Sequence, residues 1–245
     1  MSNAAFNKRR SLNKKERRKQ QVALQIGTIV AVVSLIVLIL IITAIIKKTH
    51  SNSQASESEN TQNDLYVADQ PELDVQLLTI NPYSRPGTAL EQVNGIVVHY
   101  TANPGTSAIQ NRNYFEGLKD GTGTSASSHF IIGLEGEIVQ CVPCNEVAYA
   151  SNDRNDDTIS IECCIEDEEG KFNGNTYESL LHLVTWLMGR YDLTTDDVIR
   201  HYDITGKMCP KYYVENPEAW EKFKQDLANY IVLHGVKKES TENMQ

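Results

Sequence analysis

Three side chains in this sequence are of the types that hold a metal ion. His201 and Cys209 stand eight positions apart in HYDITGKMCP (201–210), across a loop containing Gly206, and His99 sits in the apolar run GIVVHY (95–100). Two imidazoles and one thiolate match the preference of Zn²⁺ for nitrogen and sulfur donors. Three protein ligands leave a fourth tetrahedral position for water, which separates a catalytic zinc from a structural one. Such spacing also arises by chance, and the same residues admit a second chemistry, with Cys209 as nucleophile and His201 or His99 as its base. Of the other histidines, His50 and His234 lie in polar and near-terminal sequence and His182 falls off the apolar stripe of its helix, a solvated position; His129 remains.

These residues need elements to place them. GIVVHY is short, apolar and β-branched, as suits a strand buried on both faces, and His99 near its C-terminal end can project over a sheet edge into a cleft. Residues 106–118 read as a helix with Ile109 and Tyr114 among its apolar positions. Residues 129–132 and 137–142, joined by GLEG, read as a hairpin. A further strand is expected over 158–164, where Glu162 is a charge whose neighbours Ile161 and Cys163 face the other way. Tyr177, Leu180, Leu181, Val184, Leu187, Met188 and Tyr191 recur at helical spacing. Asn216 and Pro217 start a last helix as cap and first-turn residue, with Trp220, Phe223, Leu227 and Ile231 on its core face. Strands interspersed with three helices predict a single α/β domain over 76–236, with a central mixed β-sheet flanked by helices.

Ahead of that domain the charge is uneven. Residues 1–21 carry eight basic side chains and one acid, a net +7, and Lys47 and Lys48 add two more. Everything after Lys48 holds 13 basic and 31 acidic residues, a net −18, so a basic nucleic-acid-binding face is excluded. Between the basic clusters, residues 22–46 hold no formal charge. About 20 helical residues cross a bilayer core, and a cleaved signal has a shorter apolar region ending in a small-residue site. The expectation is therefore an uncleaved transmembrane helix at 22–46. Its basic flank keeps the tail 1–21 cytoplasmic and exports the rest, making a single-pass cell-membrane protein with an extracellular domain. Residues 47–75 read as a flexible polar stem, and 237–245 as a charged C-terminal tail.

Export places the five cysteines, Cys141, Cys144, Cys163, Cys164 and Cys209, where disulfides persist. Cys141 and Cys144 form a C-x-x-C with no second pair at zinc-knuckle spacing. The four outside the candidate metal site permit three full pairings, and they can equally stay reduced.

Five separated blocks, IVVHYTANPGTSA (96–108), SSHFIIGLEGEIVQCVP (127–143), NEVAYASNDRN (145–155), TISIECC (158–164) and IRHYDITGKMCPKYYV (199–214), together resemble the zinc-dependent N-acetylmuramoyl-L-alanine amidases of the type 2 amidase superfamily, which includes T7-type lysozyme and peptidoglycan recognition proteins. The resemblance runs from about Leu77 to Ile231, in the family's order and spacing. It implies one catalytic Zn²⁺ held by His99, His201 and Cys209. The implied reaction is hydrolysis of the amide joining N-acetylmuramic acid to L-alanine in peptidoglycan. It further implies Glu162 as the catalytic carboxylate, Lys207 as the ammonium facing the oxyanion, and His129 as a residue near the cleft, either substrate-binding or a structural hydrogen-bonding group. Ser128 stands where some relatives carry a catalytic tyrosine, which puts more weight on Glu162. Peptidoglycan and the membrane are the expected partners, and no protein partner is implied. A non-catalytic peptidoglycan sensor with the same fold is the alternative, and it would not need Glu162.

Overall fold

The computed structural model describes residues 66–237 apart from Thr122. The uncharged run at 22–46 and the polar sequence up to residue 65 lie outside the described residues. Among the described residues no helix is long and apolar enough to cross a membrane.

A six-stranded mixed sheet forms the centre. It comprises β2 (Asp74–Val75), β3 (Gly95–Tyr100), β4 (Phe130–Ile132), β5 (Ile138–Gln140), β6 (Thr158–Cys163) and β7 (Val198–Arg200), in the order β2-β5-β4-β6-β3-β7. Only the β4–β5 hairpin is antiparallel; β2–β5, β4–β6, β6–β3 and β3–β7 are parallel. β3 and β6 lie side by side, each with a strand on both sides, and their β-branched and apolar residues are buried on both faces.

Alternation along these strands sorts the two faces. Ile96 and Val98 of β3, Phe130 and Ile132 of β4, and Ile159, Ile161 and Cys163 of β6 join one core with α2 (Gly174–Tyr191) and α5 (Pro217–His234). On the opposite face α1 (Ala108–Gly117) packs over Ile131 of β4 and Val139 of β5. His99 and Glu162 belong to that second face. They are side-by-side partners in the parallel register of β3 and β6.

Helix ends follow local chemistry. Ser107 and Gln110 form a capping box, so α1 begins at Ala108 rather than Thr106. Its inward positions are Ala108 and Phe115, followed by Leu118, whereas Ile109 and Tyr114, expected among the apolar positions, are exposed. Asn173 caps α2 through the Thr176 N–H. Pro217 opens α5, but the side chain of Asn216 donates to the Tyr212 carbonyl, so it closes the preceding turn instead of capping α5.

Two short helices were not apparent from periodicity: α3 (His201–Thr205) and α4 (Lys211–Glu215). The domain also begins earlier than a stem ending at 75 allows. β1 (Tyr66–Val67) pairs with β8 (Val236–Lys237), and β2 extends the sheet beside β5. The polar composition of this segment hid its backbone pairing. His182, expected to be solvated, is partly covered by the same segment: its Nε2 lies 3.1 Å from the Asp69 carbonyl oxygen.

Candidate active site

β3 and β6 deliver His99 and Glu162 to adjacent points of one sheet face. α3 delivers His201. The strand β7 ends at Arg200, whose N–H and guanidinium both bond the Asp203 carboxylate, at 2.8 and 2.6 Å, and thereby fix the first turn of α3 directly beneath His201. Gly206 ends α3 in the left-handed region, φ 76°, where a side chain would be strained. The chain then doubles back, and the Tyr202 N–H donates to the Cys209 carbonyl at 2.9 Å. That loop places a cysteine eight residues downstream beside the histidine that starts the helix.

The ligand-type atoms of His99, His201 and Cys209 lie within 4.8 Å of one another, and all three residues are buried. Cys209 Sγ is 3.8 Å from His99 Nδ1. Around a tetrahedral zinc with arms of about 2.0 to 2.3 Å, ligand atoms stand about 3.5 Å apart. Two further atoms mark the same place. His201 Nδ1 and Glu162 Oε2 are buried with no hydrogen-bond partner in the protein, a costly state for polar groups. A cation and its water would satisfy both, so the residues present fit a metal ion.

Electrostatics agree with the fit. Burial, the neighbouring His201 and Lys207 hold His99 well below the usual histidine range, and burial with Lys207 lowers His201. Both imidazoles are thus neutral, with a lone pair to offer. Burial pushes the Glu162 carboxyl up to about 8, against a downward pull from Lys207. Burial, reinforced by Glu162, pushes the Cys209 thiol up to about 12. An unassisted thiol of that kind is a poor nucleophile, whereas metal coordination deprotonates a thiol outright. The donor set therefore favours ligation by Cys209 over attack by it.

A cleft of about 350 Å³ opens over these groups, with Phe115 of α1 and Tyr149 among its apolar walls and Lys207 at its edge. His129 is not among its lining residues. Its Nδ1 takes the Ser160 N–H at 3.0 Å and its Nε2 lies 2.9 Å from the Glu146 carbonyl. Both ring nitrogens are used inside the protein, and burial lowers it to about 4. His129 is a neutral structural cross-link between β6 and the loop after β5, the structural hydrogen-bonding alternative rather than the substrate-binding one. All five cysteines are free buried thiols, and Cys163 and Cys164 face opposite cores.

A loop that residue-type reasoning passed over also reaches the site. Ser151 Oγ lies 3.3 Å from His99 Nε2, and Asn152 Oδ1 lies 2.8 Å from His201 Nε2. Its sequence signals are the Asn-rich stretch SNDRN (151–155) and its place in the block NEVAYASNDRN (145–155), neither of which assigns these two residues a role.

The N-acetylmuramoyl-L-alanine amidase family model, Amidase_2, matches residues 89–212, half of the chain and all of the groups just described. The chain belongs to this amidase family. Among its relatives, the amidase CwlL of Bacillus licheniformis is 35% identical over 179 residues, which cover 68% of this chain and 49% of that protein. The amidase BlyA of Bacillus subtilis is 34% identical over 168 residues, covering 60% of this chain and 44% of that one. The chain thus spans about half the length of the curated relatives it matches. Among solved structures, the catalytic domain of XlyA superposes with a TM-score of 0.54 at 27% identity, covering 64% of this chain and 99% of that one. The family match spans β3 to β7 with α1 to α3 and the residues of the cleft.

Proposed function

We propose that this chain is a zinc-dependent peptidoglycan amidase that hydrolyses the bond between N-acetylmuramic acid and the L-alanine of the stem peptide. The observation that carries the reading is the clustering of His99, His201 and Cys209, with both imidazoles, Glu162 and Lys207 lining one cleft. Membership of the family supports it, as does the activity for which relatives such as CwlL are named.

His99, His201 and Cys209 would hold the ion, which when bound supplies a nucleophilic water and polarises the scissile carbonyl. Glu162, beside His99 on β6, takes the proton from the attacking water and passes it to the departing amine. Its burial suits a group that must both accept and return a proton near neutral pH. Lys207 places an ammonium against the developing oxyanion. Phe115 and Tyr149 supply apolar walls that exclude water around the reacting amide.

Mass spectrometry of products from purified muropeptides, incubated with the full chain, tests this directly. Release of free stem peptide that stops on chelation and returns with zinc is expected. Activity surviving exhaustive chelation overturns the zinc reading, and intact muropeptides with zinc present overturn the amidase reading in favour of a binding module.

We further propose that residues 22–46 tether the domain to the cell membrane, with residues 1–21 cytoplasmic and the domain outside. Its support is the uncharged run and its basic flanks. Resistance of the full chain to alkaline extraction, with the domain digestible by protease added to intact cells whose walls have been removed, is expected.

A further inference from the structure

Each imidazole of the candidate metal site must turn one unprotonated nitrogen inward, and the strand β3 and the helix α3 that carry them do not by themselves choose which. An imidazole presents a lone pair at one nitrogen only if its other nitrogen holds the proton. The choice between them is made by whatever accepts that proton.

Both acceptors come from two consecutive residues. Asn152 Oδ1 stands 2.8 Å from His201 Nε2, and Ser151 Oγ stands 3.3 Å from His99 Nε2. An amide oxygen can only accept, so His201 carries its proton on Nε2, and its unpartnered Nδ1 is the atom left facing the cluster. On His99 the corresponding Nδ1 is the atom next to Cys209 Sγ.

The loop bearing these acceptors is held from its own far end. Asn155 Oδ1 accepts the N–H groups of Ala150 and Ser151, at 3.0 and 2.6 Å. Arg154 bonds Asp157 through Nε at 2.7 Å, and the Thr158 hydroxyl donates to the Arg154 carbonyl at 2.6 Å, tying the loop to the first residue of β6. Asn152 itself sits at φ 51°, a left-handed conformation that asparagine accepts more readily than most residues. Strained backbone held by several independent bonds is a common mark of a functional loop.

We infer that Ser151 and Asn152 are positioning residues, which set the tautomer and orientation of His99 and His201 so that both offer Nδ1 to one ion, with Asn155 fixing the loop that carries them. This rests on the metal-site reading above. Outer hydrogen-bond partners of metal-binding histidines are worth about 10- to 100-fold in metal affinity, and the shorter contact, on His201, should carry most of it.

Zinc affinity, measured on the full chain by competition with a chromophoric chelator, tests this. Asn152→Gly accepts φ 51° without strain and removes the side-chain carboxamide that faces His201; about 10- to 100-fold weaker zinc binding is expected, with the metal-free melting temperature unchanged. Asn152→Asp keeps an oxygen at the same reach and should retain affinity. Ser151→Ala should weaken binding less than Asn152→Gly does. In the metal-free protein, long-range proton–nitrogen NMR should show His201 as the Nε2–H tautomer, and a mixture of tautomers in Asn152→Gly. Zinc bound by Asn152→Gly as tightly as by the unsubstituted chain overturns the inference. Should that variant lower the metal-free melting temperature, Ser151→Ala decides, and unchanged affinity there overturns it. If the unsubstituted chain itself binds no zinc, the metal-site reading fails instead.

Discussion

His129 and His201 are both buried histidines of the same domain, and they are treated in opposite ways. His129 has each ring nitrogen within 3.0 Å of a protein partner, the Ser160 N–H on one side and the Glu146 carbonyl on the other. His201 has one nitrogen on Asn152 and the other buried with none. Glu162 repeats the pattern of His201, with a buried Oε2 that no group satisfies, while Glu116 on α1 repeats that of His129, taking bonds from Thr79, Arg112 and Lys119. Folding leaves a buried polar atom unsatisfied only at a cost. In His129 and Glu116 the protein completes the group, which then holds the fold together; in His201 and Glu162, which line the cleft, the atom left incomplete is one that a ligand or substrate can complete. The rule turns into a contrast: substitution of a completed group should cost stability and spare chemistry, and the reverse should hold for an incomplete one.

The largest effect is expected at the ligands. His201→Ala or Cys209→Ser should abolish stoichiometric zinc retention, read by elemental analysis, and reduce muropeptide cleavage to background. Glu162→Gln should come next, with kcat lower by about 10² to 10⁴-fold while zinc content and melting temperature hold. Unchanged activity in Glu162→Gln breaks the comparison on its functional side and favours the sensor. Lys207→Ala should reduce kcat by about 10² to 10³-fold, the usual scale for one oxyanion-stabilising donor.

On the structural side, His129→Asn should destabilise the domain by about 1 to 3 kcal/mol in urea unfolding, because partners are left unsatisfied, with kcat of the folded protein retained. The pH dependence carries a sign. His129 titrates at about 4 in the folded domain against 6.5 unfolded, so between those values the unfolded chain binds the proton first. Its contribution is complete above about pH 6.5 and is withdrawn as the pH falls toward 4, by about 3 kcal/mol at most. The difference in stability between the unsubstituted chain and His129→Asn should therefore shrink across that window. A pH-independent difference would show that His129 is not held neutral. The smallest effect belongs to Glu116. Burial raises its carboxyl, but bonds from Lys119 and Thr79 and the Arg112 guanidinium outweigh that and hold it at about 2. Glu116→Gln, which keeps an acceptor oxygen, should cost about 0.5 to 1.5 kcal/mol, the net scale of one ordinary hydrogen bond, and should not alter cleavage.

Much of the site was legible before any coordinates. Histidine and cysteine are the residue types that bind zinc, and the block around each is specific enough to name the family, so His99, His201 and Cys209 could be singled out from text alone. The strands were legible too, because GIVVHY and TISIEC are β-branched runs bounded by turns, and α2 and α5 declare themselves by apolar periodicity. α3 and α4, at five residues each, are too short to show a period. β2 could not be read because its two residues are exposed, and its place depends on a backbone ladder with β5 that side-chain types do not encode.

What chain order and residue type determine here is the inventory: a His-His-Cys trio of metal-ligand types, a carboxylate in an apolar strand, and the elements long enough to carry a periodic signal. Only the tertiary structure decided which polar atoms those groups are left with. It gave both nitrogens of His129 to Ser160 and Glu146, although a histidine in that block reads as readily as a cleft residue. It also brought Ser151 and Asn152 behind His99 and His201 from a loop some fifty residues away from either. The reason is physical: a residue's type states what bonds it can make, whereas satisfaction is a property of neighbours, and parallel pairing of β3 with β6 and β7 assembles those neighbours from distant parts of the chain.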